Sequence, residues 1–560
     1  MESAYKAHTG KPKIKVGILL NSYKVSYPYY HILETLIHSD YAELSLVVLN
    51  KTRAGLKRRV SISKLIEHFN LLFFFAYQII DQKLFKPRYP IMKQKDCREL
   101  LKGIPVIETT PETKKFFQWI DKDDIQKINS YNCDLFIRMG FRILRGDILR
   151  IARYGIWSFH HADNKVNRGG PPCFWEMYEK NPVTGTIVQV LSSDLDNGKV
   201  LYKTYGATHK FSLNVSRNGV YAKAMFFIPR LISKLHHEGP GFLNETPQLP
   251  EFYSHPLYLA PTNLQTIKFV WRLLTSSFTK FIRQFFYRNQ WFLMYSLSKT
   301  GKIQPSMRKL KKMIPPKGTF WADPHVIFRD GYYYIFLEEK FFNRKNAHIS
   351  VIKMDEEGNY GSAQKVLELP YHLSYPFVFS HQNCDYMIPE SGANKTIELY
   401  KCESFPDKWK LHKVLMQDVQ TVDTTLHFHN GKWWMFVNKV EHPAVSNNDE
   451  LHIYHAVSPE GPWEPHRLNP VISDVRRARP AGKIFEYNGK FYRPSQDCSV
   501  TYGYGIRINE IITLNEAEYH EKETDFIEPL WDDKINGVHT FIFEKNLTLI
   551  DGVRKVSKWS

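Results

Sequence analysis

A histidine pair and a following aspartate are the residues of this chain best suited to acid–base chemistry. His160 and His161 follow the apolar run that ends at Phe159, and Asp196 follows the next apolar run. An imidazole near a carboxylate can take a proton from an attacking group and return it to a leaving group. Two histidines at the end of a strand can also merely close it, so the pair alone leaves a catalytic and a structural interpretation open.

The surrounding sequence predicts an open, Rossmann-type α/β sheet. An apolar run at 14–20 is typical of a strand buried on both faces, and a helix-like stretch at 30–38 and a second run at 44–49 follow it. This β-α-β order is the opening of such a sheet. Further strands are predicted at 104–107, 134–139, 155–159 and 186–191, with a helix at 121–130 and an inserted helical segment at about 51–102. Ligands bind these sheets at strand ends.

Several motifs in this half resemble the formyltransferase family. The stretch Gly155-Ile-Trp-Ser-Phe-His-His-Ala-Asp-Asn-Lys-Val-Asn-Arg-Gly-Gly-Pro-Pro172, then Thr184-Gly-Thr and Asp196-Asn-Gly198, follow that family's order and spacing. The resemblance covers about 14–235. It implies that His160 and Asp196 are the catalytic histidine and aspartate, and that N10-formyltetrahydrofolate donates a formyl group to an amine.

One catalytic position departs from the family pattern. Ser158 stands where the family has an asparagine that donates to the oxyanion, and losing one such donor costs about 10²–10³ in rate. A slow enzyme is therefore expected rather than an inactive one. The resemblance gives substrate-binding roles to His161, Arg168, Gly169 and Gly198, and His161 can also share the role of His160 as base. The Gly-rich fingerprint of nicotinamide-binding domains is missing.

The second half contains a counted repeat. Segments that begin at Asp323, Tyr375, Asp423 and Ala481 align with spacings of 52, 48 and 58 residues. Three of them reach an Asp-Gly or Asn-Gly pair, which is a strong hairpin signal. Repeats of about fifty residues built from hairpins predict propeller blades. The runs 291–297 and 538–549 are expected to complete a fifth blade, with four or six blades as alternatives.

Equivalent positions in these repeats predict a polar ring. Counting fifteen residues from each repeat start reaches Glu338, Glu390, Asn438 and Gln496, and we expect them to line a cavity with Asp323, Asp423 and Asp497. Two carboxylates across a cavity can cleave a glycosidic bond. Propellers often bind without catalysis and Asp-Pro often only caps a turn, so glycan binding is favoured over hydrolysis. No metal-ligand spacing is present.

These segments also resemble a second family. Trp321-Ala-Asp-Pro324, His372-Leu-Ser-Tyr-Pro376, Ile388-Pro-Glu390 and Ser495-Gln-Asp497 are similar to the N-terminal domain of plant glucosamine inositolphosphorylceramide transferases and, more distantly, to five-bladed furanosidase and arabinanase glycosidases. This resemblance covers about 290–552 and implies a carbohydrate ligand.

The segment between the two halves predicts a basic amphipathic helix. Apolar residues recur at helical spacing over 264–286 with four Lys or Arg residues among them. A helix packed between domains is favoured over a peripheral membrane contact, because apolar stripes are usually core. The predicted domains are therefore an α/β domain at 1–245, a linker with this helix at 246–289, and a propeller at 290–560.

Composition limits the compartment and the partners. The net charge of +19 favours anionic ligands. Six scattered cysteines, no secretory signal and no apolar run long enough to span a bilayer predict a cytoplasmic protein.

Together these features predict formyl transfer to an amino sugar or nucleotide sugar, with a glycan-binding propeller. The main alternative is a catalytically degenerate formyltransferase fold that carries a propeller glycosidase or lectin. Formylation of a charged transfer RNA is a third hypothesis that fits the basic surplus, although no nucleic acid partner is expected.

Overall fold

A computed structural model describes residues 10–52, 69–193, 198–245, 257–298, 303 and 306–559. The chain divides by internal contacts into two units, Met1–Thr275 and Ser276–Ser560, with the division inside a long helix. The first unit is α/β and the second is rich in β-strands. The domain limits drawn from the sequence stay a prediction.

The first unit is built on one seven-stranded sheet. Its strands in chain order are β1 (Ile14–Leu20), β2 (Ala42–Asn50), β3 (Val106–Thr109), β4 (Leu135–Arg138), β5 (Ile156–His160), β6 (Val183–Val190) and β7 (Lys199–Ala207). The spatial order is β7-β6-β5-β4-β1-β2-β3. Strands β3, β2, β1, β4 and β5 run parallel, whereas β6 and β7 are antiparallel to their neighbours. The predicted open sheet is confirmed.

The described part of the chain contains eight helices. They are α1 (Tyr27–Ile37), α2 (Leu72–Leu84), α3 (Lys122–Asn129), α4 (Phe174–Glu179), α5 (Leu213–Ala224), α6 (Phe227–Glu238), α7 (Phe242–Glu245) and α8 (Asn263–Phe286), the last of which crosses into the second unit. Polar residues start two of them: the Asp121 carboxylate accepts from the Asp123 N–H, and the Ser212 hydroxyl accepts from the Val215 N–H. Of the predicted helical insertion, the described part holds α2 and a short strand.

Short strands complete the first unit. Lys24–Ser26 pairs with Gln94–Asp96, Arg168–Gly169 pairs with Leu257–Tyr258, and Glu112–Lys114, Phe117–Trp119 and Ile143–Arg145 form a third small sheet. A 3₁₀ turn spans Asp147–Arg150 in this unit, and two more span Met307–Lys309 and Gly392–Asn394 in the second.

The second unit contains five antiparallel sheets of four or five strands. Sheet 1 comprises Thr319–Arg329, Tyr332–Phe341, His348–Asp355 and Gln364–Leu367; sheet 2, Ser374–His381, Cys384–Glu390, Ile397–Ser404 and Lys408–Met416; sheet 3, Thr421–His429, Lys432–Lys439, Glu450–Ala456, Glu464–Pro465 and Ile472–Ser473; sheet 4, Arg479–Pro480, Phe485–Tyr487, Lys490–Asp497, Gly505–Leu514 and Tyr519–Ile527; sheet 5, Tyr287–Leu297, Lys311–Met313, Ile535–Gly537, Phe541–Glu544 and Leu547–Ser557.

Sheet 5 joins two distant parts of the chain. Tyr287–Leu297 pairs with Leu547–Ser557 over eleven residue pairs, from Tyr287 opposite Ser557 to Leu297 opposite Leu547. The prediction that 291–297 and 538–549 contribute to one sheet is confirmed. Contacts between neighbouring sheets run in a cycle, from sheet 1 through sheets 2, 3, 4 and 5 and back to sheet 1.

Within the described residues, no helix is both long and apolar enough to cross a bilayer.

Candidate functional site

The carboxyl edge of the parallel sheet gathers polar side chains in the first unit. Strand β5 ends at His160, and alternation along the strand puts Ser158 on the same face as His160. Ile156 and Trp157 of β5 lie opposite Phe136 and Ile137 of β4, which brings Arg138 beside Ser158. Arg138 Nε donates to Ser158 Oγ at 3.0 Å. A guanidinium therefore lies next to the position where the formyltransferase pattern has an asparagine.

His160 is held in one tautomer when it is neutral. Its Nε2 lies 3.2 Å from the main-chain oxygen of Asn167. A carbonyl oxygen only accepts, so Nε2 carries the hydrogen and Nδ1 is the basic nitrogen of the neutral ring.

His161 has a different setting. Its ring is stacked on Phe159, with centroids 5.6 Å apart, and tilted against Tyr221 at 4.0 Å. Burial, together with the neighbouring His160, lowers the pKa of His161 to about 3. His161 is therefore a neutral packing group at physiological pH, and of the two rings His160 is the candidate base.

The loop after His160 is anchored to the sheet by Asp163. Its carboxylate lies 2.8 Å from Lys203 Nζ and accepts a hydrogen bond from Tyr205 Oη at 2.7 Å. Burial alone would raise the pKa of Asp163, but these two partners and the Lys165 N–H lower it. The anchored loop carries the Asn167 carbonyl that orients His160.

The glycines predicted to shape the substrate pocket have backbone reasons to be glycine. Gly169 has a φ of +88°, and a Cβ there would lie 2.2 Å from the Tyr258 oxygen. A Cβ on Gly198 would lie 2.1 Å from the Val190 oxygen. Both positions need close backbone approach. Arg168 is half-buried in the short strand beside Gly169. Asp196 lies outside the described residues.

The sequence did not single out Arg138 or Asn21. Asn21 directly follows β1, and its Oδ1 accepts from Phe141 N at 2.7 Å and from Asn50 Nδ2 at 3.1 Å. Strands β2 and β3 lie on one side of β1, and the later strands β4 and β5 lie on its other side. Ligands bind open α/β sheets at the strand ends beside such a switch in strand order. The sequence feature that could have identified these two residues is a polar side chain at or near the end of an apolar run.

The second unit has a cavity of about 500 Å³ lined by acidic and basic side chains. The ionisable lining residues are Asp323, Glu338, Glu390, His372, Arg479 and His539. Trp291, Phe320 and Tyr502 contribute aromatic surface. Aromatic faces with polar groups between them suit a polyhydroxylated ligand that is apolar on one side.

A repeated backbone feature begins sheets 1, 2 and 3. Asp323, Tyr375 and Asp423 have φ values of 50°, 43° and 55°, and each lies in a break of strand pairing. An extra residue in this left-handed conformation is a β-bulge that redirects a side chain. These are the residues from which the sequence repeat was counted, so the repeats share local geometry.

His539 lies between two carboxylates. Its Nδ1 is 2.5 Å from Asp551 Oδ2 and its Nε2 is 3.4 Å from Asp323 Oδ1. Burial alone would lower the pKa of His539, but Asp551 and Asp323 raise it to about 9. Burial raises the pKa of Asp323 to about 7, opposed by His539 and reinforced by Glu338.

The same three side chains are the candidate metal ligands among the described residues, with ligand atoms within 4.8 Å of one another. Asp551 already accepts from the main-chain N–H groups of Asp323, His539 and Thr540 at 2.9–3.0 Å. Donors around a carboxylate compete with a cation for its lone pairs. The arrangement fits a proton-holding cluster better than a metal site.

Arg479 organises the other side of the cavity. Its Nε and Nη2 lie 2.5 and 3.2 Å from the two oxygens of Asp423, and Gln496 Nε2 also donates to Asp423 at 2.8 Å. Glu390 Oε2 is 3.8 Å from Arg479. Burial and the neighbouring Asp423 raise the pKa of Glu390 well above its usual value.

The structure brings together most of the predicted ring. Asp323, Glu338 and Glu390 line the cavity, Asp423 is bonded to the lining residue Arg479, and Gln496 donates to Asp423.

Two predicted members are placed elsewhere. Asn438 is fully buried on Lys432–Lys439 and is not a lining residue. Asp497 pairs with Arg507 at 2.7 Å and accepts from Ser499. Neither side chain is among the lining residues of this cavity, so their place in the ring stays a prediction.

The sequence missed Arg479, His539 and His372. Arg479 stands two residues before a repeat start, and His539 follows Val538, the start of the fifth repeat, which lacks an acidic residue there. Aligning the Lys545-Asn546 turn with the other hairpin turns places Val538 at the position of Asp323 and His539 one residue later.

The second unit matches a known family over most of its length. Residues 310–537 match the family model described as glucosamine inositolphosphorylceramide transferase 1, N-terminal. The protein named glucosamine inositolphosphorylceramide transferase 1 from Oryza sativa subsp. japonica is 36% identical over 205 residues, which cover 36% of this chain and 27% of that protein. The protein of that name from Arabidopsis thaliana is 35% identical over 210 residues, 37% of this chain and 27% of its own length.

The chain is also similar to formyltransferases. A methionyl-tRNA formyltransferase of Prochlorococcus marinus is 31% identical over 111 residues, 20% of this chain and 30% of that enzyme. Both resemblances drawn from the motifs are confirmed, while the chain spans less than a third of the length of these relatives.

Solved structures with similar parts include two kinds of enzyme. Glycinamide ribonucleotide transformylase 1 from Symbiobacterium toebii has a TM-score of 0.29 and 13% identity, and covers 41% of this chain and 93% of its own. A family 117 glycoside hydrolase from Zobellia galactanivorans has a TM-score of 0.32 and 11% identity, and covers 48% and 90%.

Proposed function

We propose that the first unit transfers a formyl group from N10-formyltetrahydrofolate to the amine of an amino sugar, free or as a nucleotide sugar, in glycan biosynthesis. The observation that carries this proposal is the meeting of Arg138, Ser158 and His160 at the carboxyl edge of the parallel sheet. The similarity to methionyl-tRNA formyltransferase supports the transferred group. The similarity to proteins named for glucosamine and inositolphosphorylceramide supports a sugar acceptor.

The residues suit the steps of this reaction. The neutral amine attacks the formyl carbon, a C–N bond forms, and His160 Nδ1 takes the proton that the amine loses. Arg138 and Ser158 donate to the formyl oxygen as it gains negative charge. The bond to N10 of the folate then breaks, and N10 receives the proton from His160. The products are the N-formyl sugar and tetrahydrofolate.

Mass detection of a formyl increment on amino-sugar nucleotides, with the full chain and the formyl-folate donor, tests this function. His160→Ala should abolish the increment, while His237→Ala, at an exposed histidine outside the site, should preserve it. Ser158→Asn should be tolerated or raise the rate. Full activity in His160→Ala would show that another group is the base, and no product with any acceptor would reject the function.

We infer that the five sheets of the second unit close into a five-bladed propeller whose cavity binds a glycan. The cyclic contacts between sheets and the joining of distant strands in sheet 5 support the closed arrangement. The aromatic and carboxyl lining supports a carbohydrate ligand. Asp323→Asn should weaken glycan binding, measured by calorimetry, without unfolding the domain. A collapse of the melting temperature would instead give Asp323 a structural role.

The raised pKa of Glu390 favours glycoside hydrolysis as a second candidate function. A protonated carboxylic acid across a cavity from a second carboxyl group can protonate a leaving oxygen. Release of reducing ends from a glycan panel, lost in Glu390→Gln, would establish hydrolysis. Binding without release would leave the cavity as a lectin-like site.

The location proposed for both units is the cytoplasm. All six cysteines are free thiols, as expected in a reducing compartment.

A further inference from the structure

The long helix α8 turns an apolar stripe toward solvent. Its apolar residues recur at alternating spacings of three and four, which puts them on one face. Between 49% and 69% of each is exposed for Leu264, Ile267, Trp271, Leu274, Phe278, Phe281 and Phe285. Thr266 and Phe269 are the residues that α8 buries.

Helix α2 adds a second exposed apolar face in the first unit. It lies beside the start of α8, where the Asn263 side chain accepts from Phe73 N at 3.0 Å and donates to Phe69 O at 2.7 Å. The Tyr77 ring packs edge-on against Phe269 at 5.4 Å. Both helices rest on one buried cluster around Phe174, so their outer faces point away from it. Exposure is 45–72% for Leu72, Phe73, Ile79, Ile80 and Leu84.

The exposed charged residues of these two helices are cations. Helix α8 contains Lys268, Arg272, Lys280 and Arg283 and no aspartate or glutamate, and Arg272 among them donates to the main-chain oxygens of Met177 and Tyr178. The acidic residue of α2, Asp81, is buried and accepts from Asn214 N at 2.7 Å. The exposed surface is therefore apolar and cationic.

A second copy of the chain fits this surface poorly. The stripe spacing resembles that of a coiled coil, but four of its seven residues are Trp or Phe, whereas two-stranded coils prefer aliphatic residues there. Two copies would also bring like charges together without acidic partners. Trp and Phe beside Lys and Arg are instead typical of helices that lie in a membrane interface.

We propose that the outer faces of α2 and α8 bind the surface of an anionic lipid bilayer, with the helices lying in its plane. The apolar side chains enter the headgroup boundary, and the cations contact anionic headgroups. A glycan acceptor carried on a lipid would then be met at the membrane, although the membrane binding itself does not depend on formyl transfer.

Co-sedimentation with vesicles tests this proposal on the full chain. The protein should bind phosphatidylcholine vesicles that contain phosphatidylglycerol and bind pure phosphatidylcholine weakly. Trp271→Ser with Phe278→Ser removes two side chains that are 69% and 66% exposed, and should weaken binding by about tenfold or more. Lys268→Gln with Lys280→Gln should weaken binding to the anionic vesicles alone, also by about tenfold.

A matched control removes exposed apolar groups elsewhere. Phe428 and Leu530, 54% and 71% exposed in the second unit, should be replaceable by serine without loss of vesicle binding. Circular dichroism checks that each variant is folded. The proposal is overturned if the unmodified chain ignores both vesicles, if the Trp271/Phe278 variant binds as well as the control, or if sizing shows a dimer that this variant dissociates.

Discussion

Replacing His539 by glutamine should flatten the alkaline dependence of stability. Because Asp551 and Asp323 raise the pKa of His539 from 6.5 to about 9, the folded chain keeps a proton that the unfolded chain has lost between these values. The stabilisation is fully present below pH 6.5 and is lost as the pH rises through 9. At 1.36 kcal/mol per pH unit, this interval corresponds to about 3 kcal/mol.

The measurement is the free energy of unfolding in urea between pH 7.5 and 9. Asp323 has a pKa of about 7 in the folded chain and has therefore lost most of its proton by pH 7.5. It contributes little to the pH dependence of the unfolding free energy between pH 7.5 and 9. Buried cysteines whose pKa is raised, such as Cys498, add the same loss of stability to both proteins in this window. The unmodified chain should therefore lose stability faster than His539→Gln, by up to about 1.4 kcal/mol per pH unit. The Cε1 proton of His539 followed by NMR gives the same titration directly.

His427 offers a matched control. It is a buried histidine of the same unit whose pKa burial lowers to about 4, so it is neutral in both states above pH 6.5. His427→Gln should keep the alkaline slope of the unmodified chain. An equal slope in His539→Gln, or no slope in the unmodified chain, would refute the assignment of the stored proton to the cluster of His539 and its two carboxylates.

Three further outcomes are expected. Arg493→Met should lower the unfolding free energy by about 3–5 kcal/mol in urea titrations, because it leaves the buried Glu521 carboxylate, 2.8 Å away, without its partner. Arg138→Met should cut the formyl-transfer rate by about 10²-fold or more in a chain that circular dichroism shows to be folded, since it removes a donor from the proposed site. Ending the chain at Asn546 should abolish the near-ultraviolet circular dichroism of the second unit, because the lost strand Leu547–Ser557 lies between paired strands of sheet 5.

The strands of the first unit were predictable because buried parallel strands are short apolar runs. The run 14–20 is strand β1 residue for residue, and 155–159 differs from β5 by one residue at each end. Arg138 was missed because its role depends on the register of β4 against β5, which no local pattern records. Contacts across a sheet are set by long-range pairing, whereas the periodicity that predicts a strand is local.

The counted repeat located Glu338 and Glu390 because sheets 1 and 2 share a bulge and a tight turn, which fixes the distance along the hairpin. The same count reaches Asn438, which is enclosed within its own sheet. Arg479 reaches Asp423 from 56 residues away, and its approach became visible only with the sheets assembled. The exposed stripe of α8 shows the limit of periodicity, which finds an apolar face but not what covers it.

The pairing of Tyr287–Leu297 with Leu547–Ser557 has a consequence during translation. The first of these strands leaves the ribosome before all of sheets 1 to 4, and its partner follows only after they have emerged. During that interval the strand is without its pairing partner, and apolar residues such as Phe292 and Leu293 are exposed. They are then available for non-native contacts and for binding by chaperones. The β-rich unit therefore completes its fold only after its last strand has emerged, whereas every strand of the α/β sheet has by then already left the ribosome.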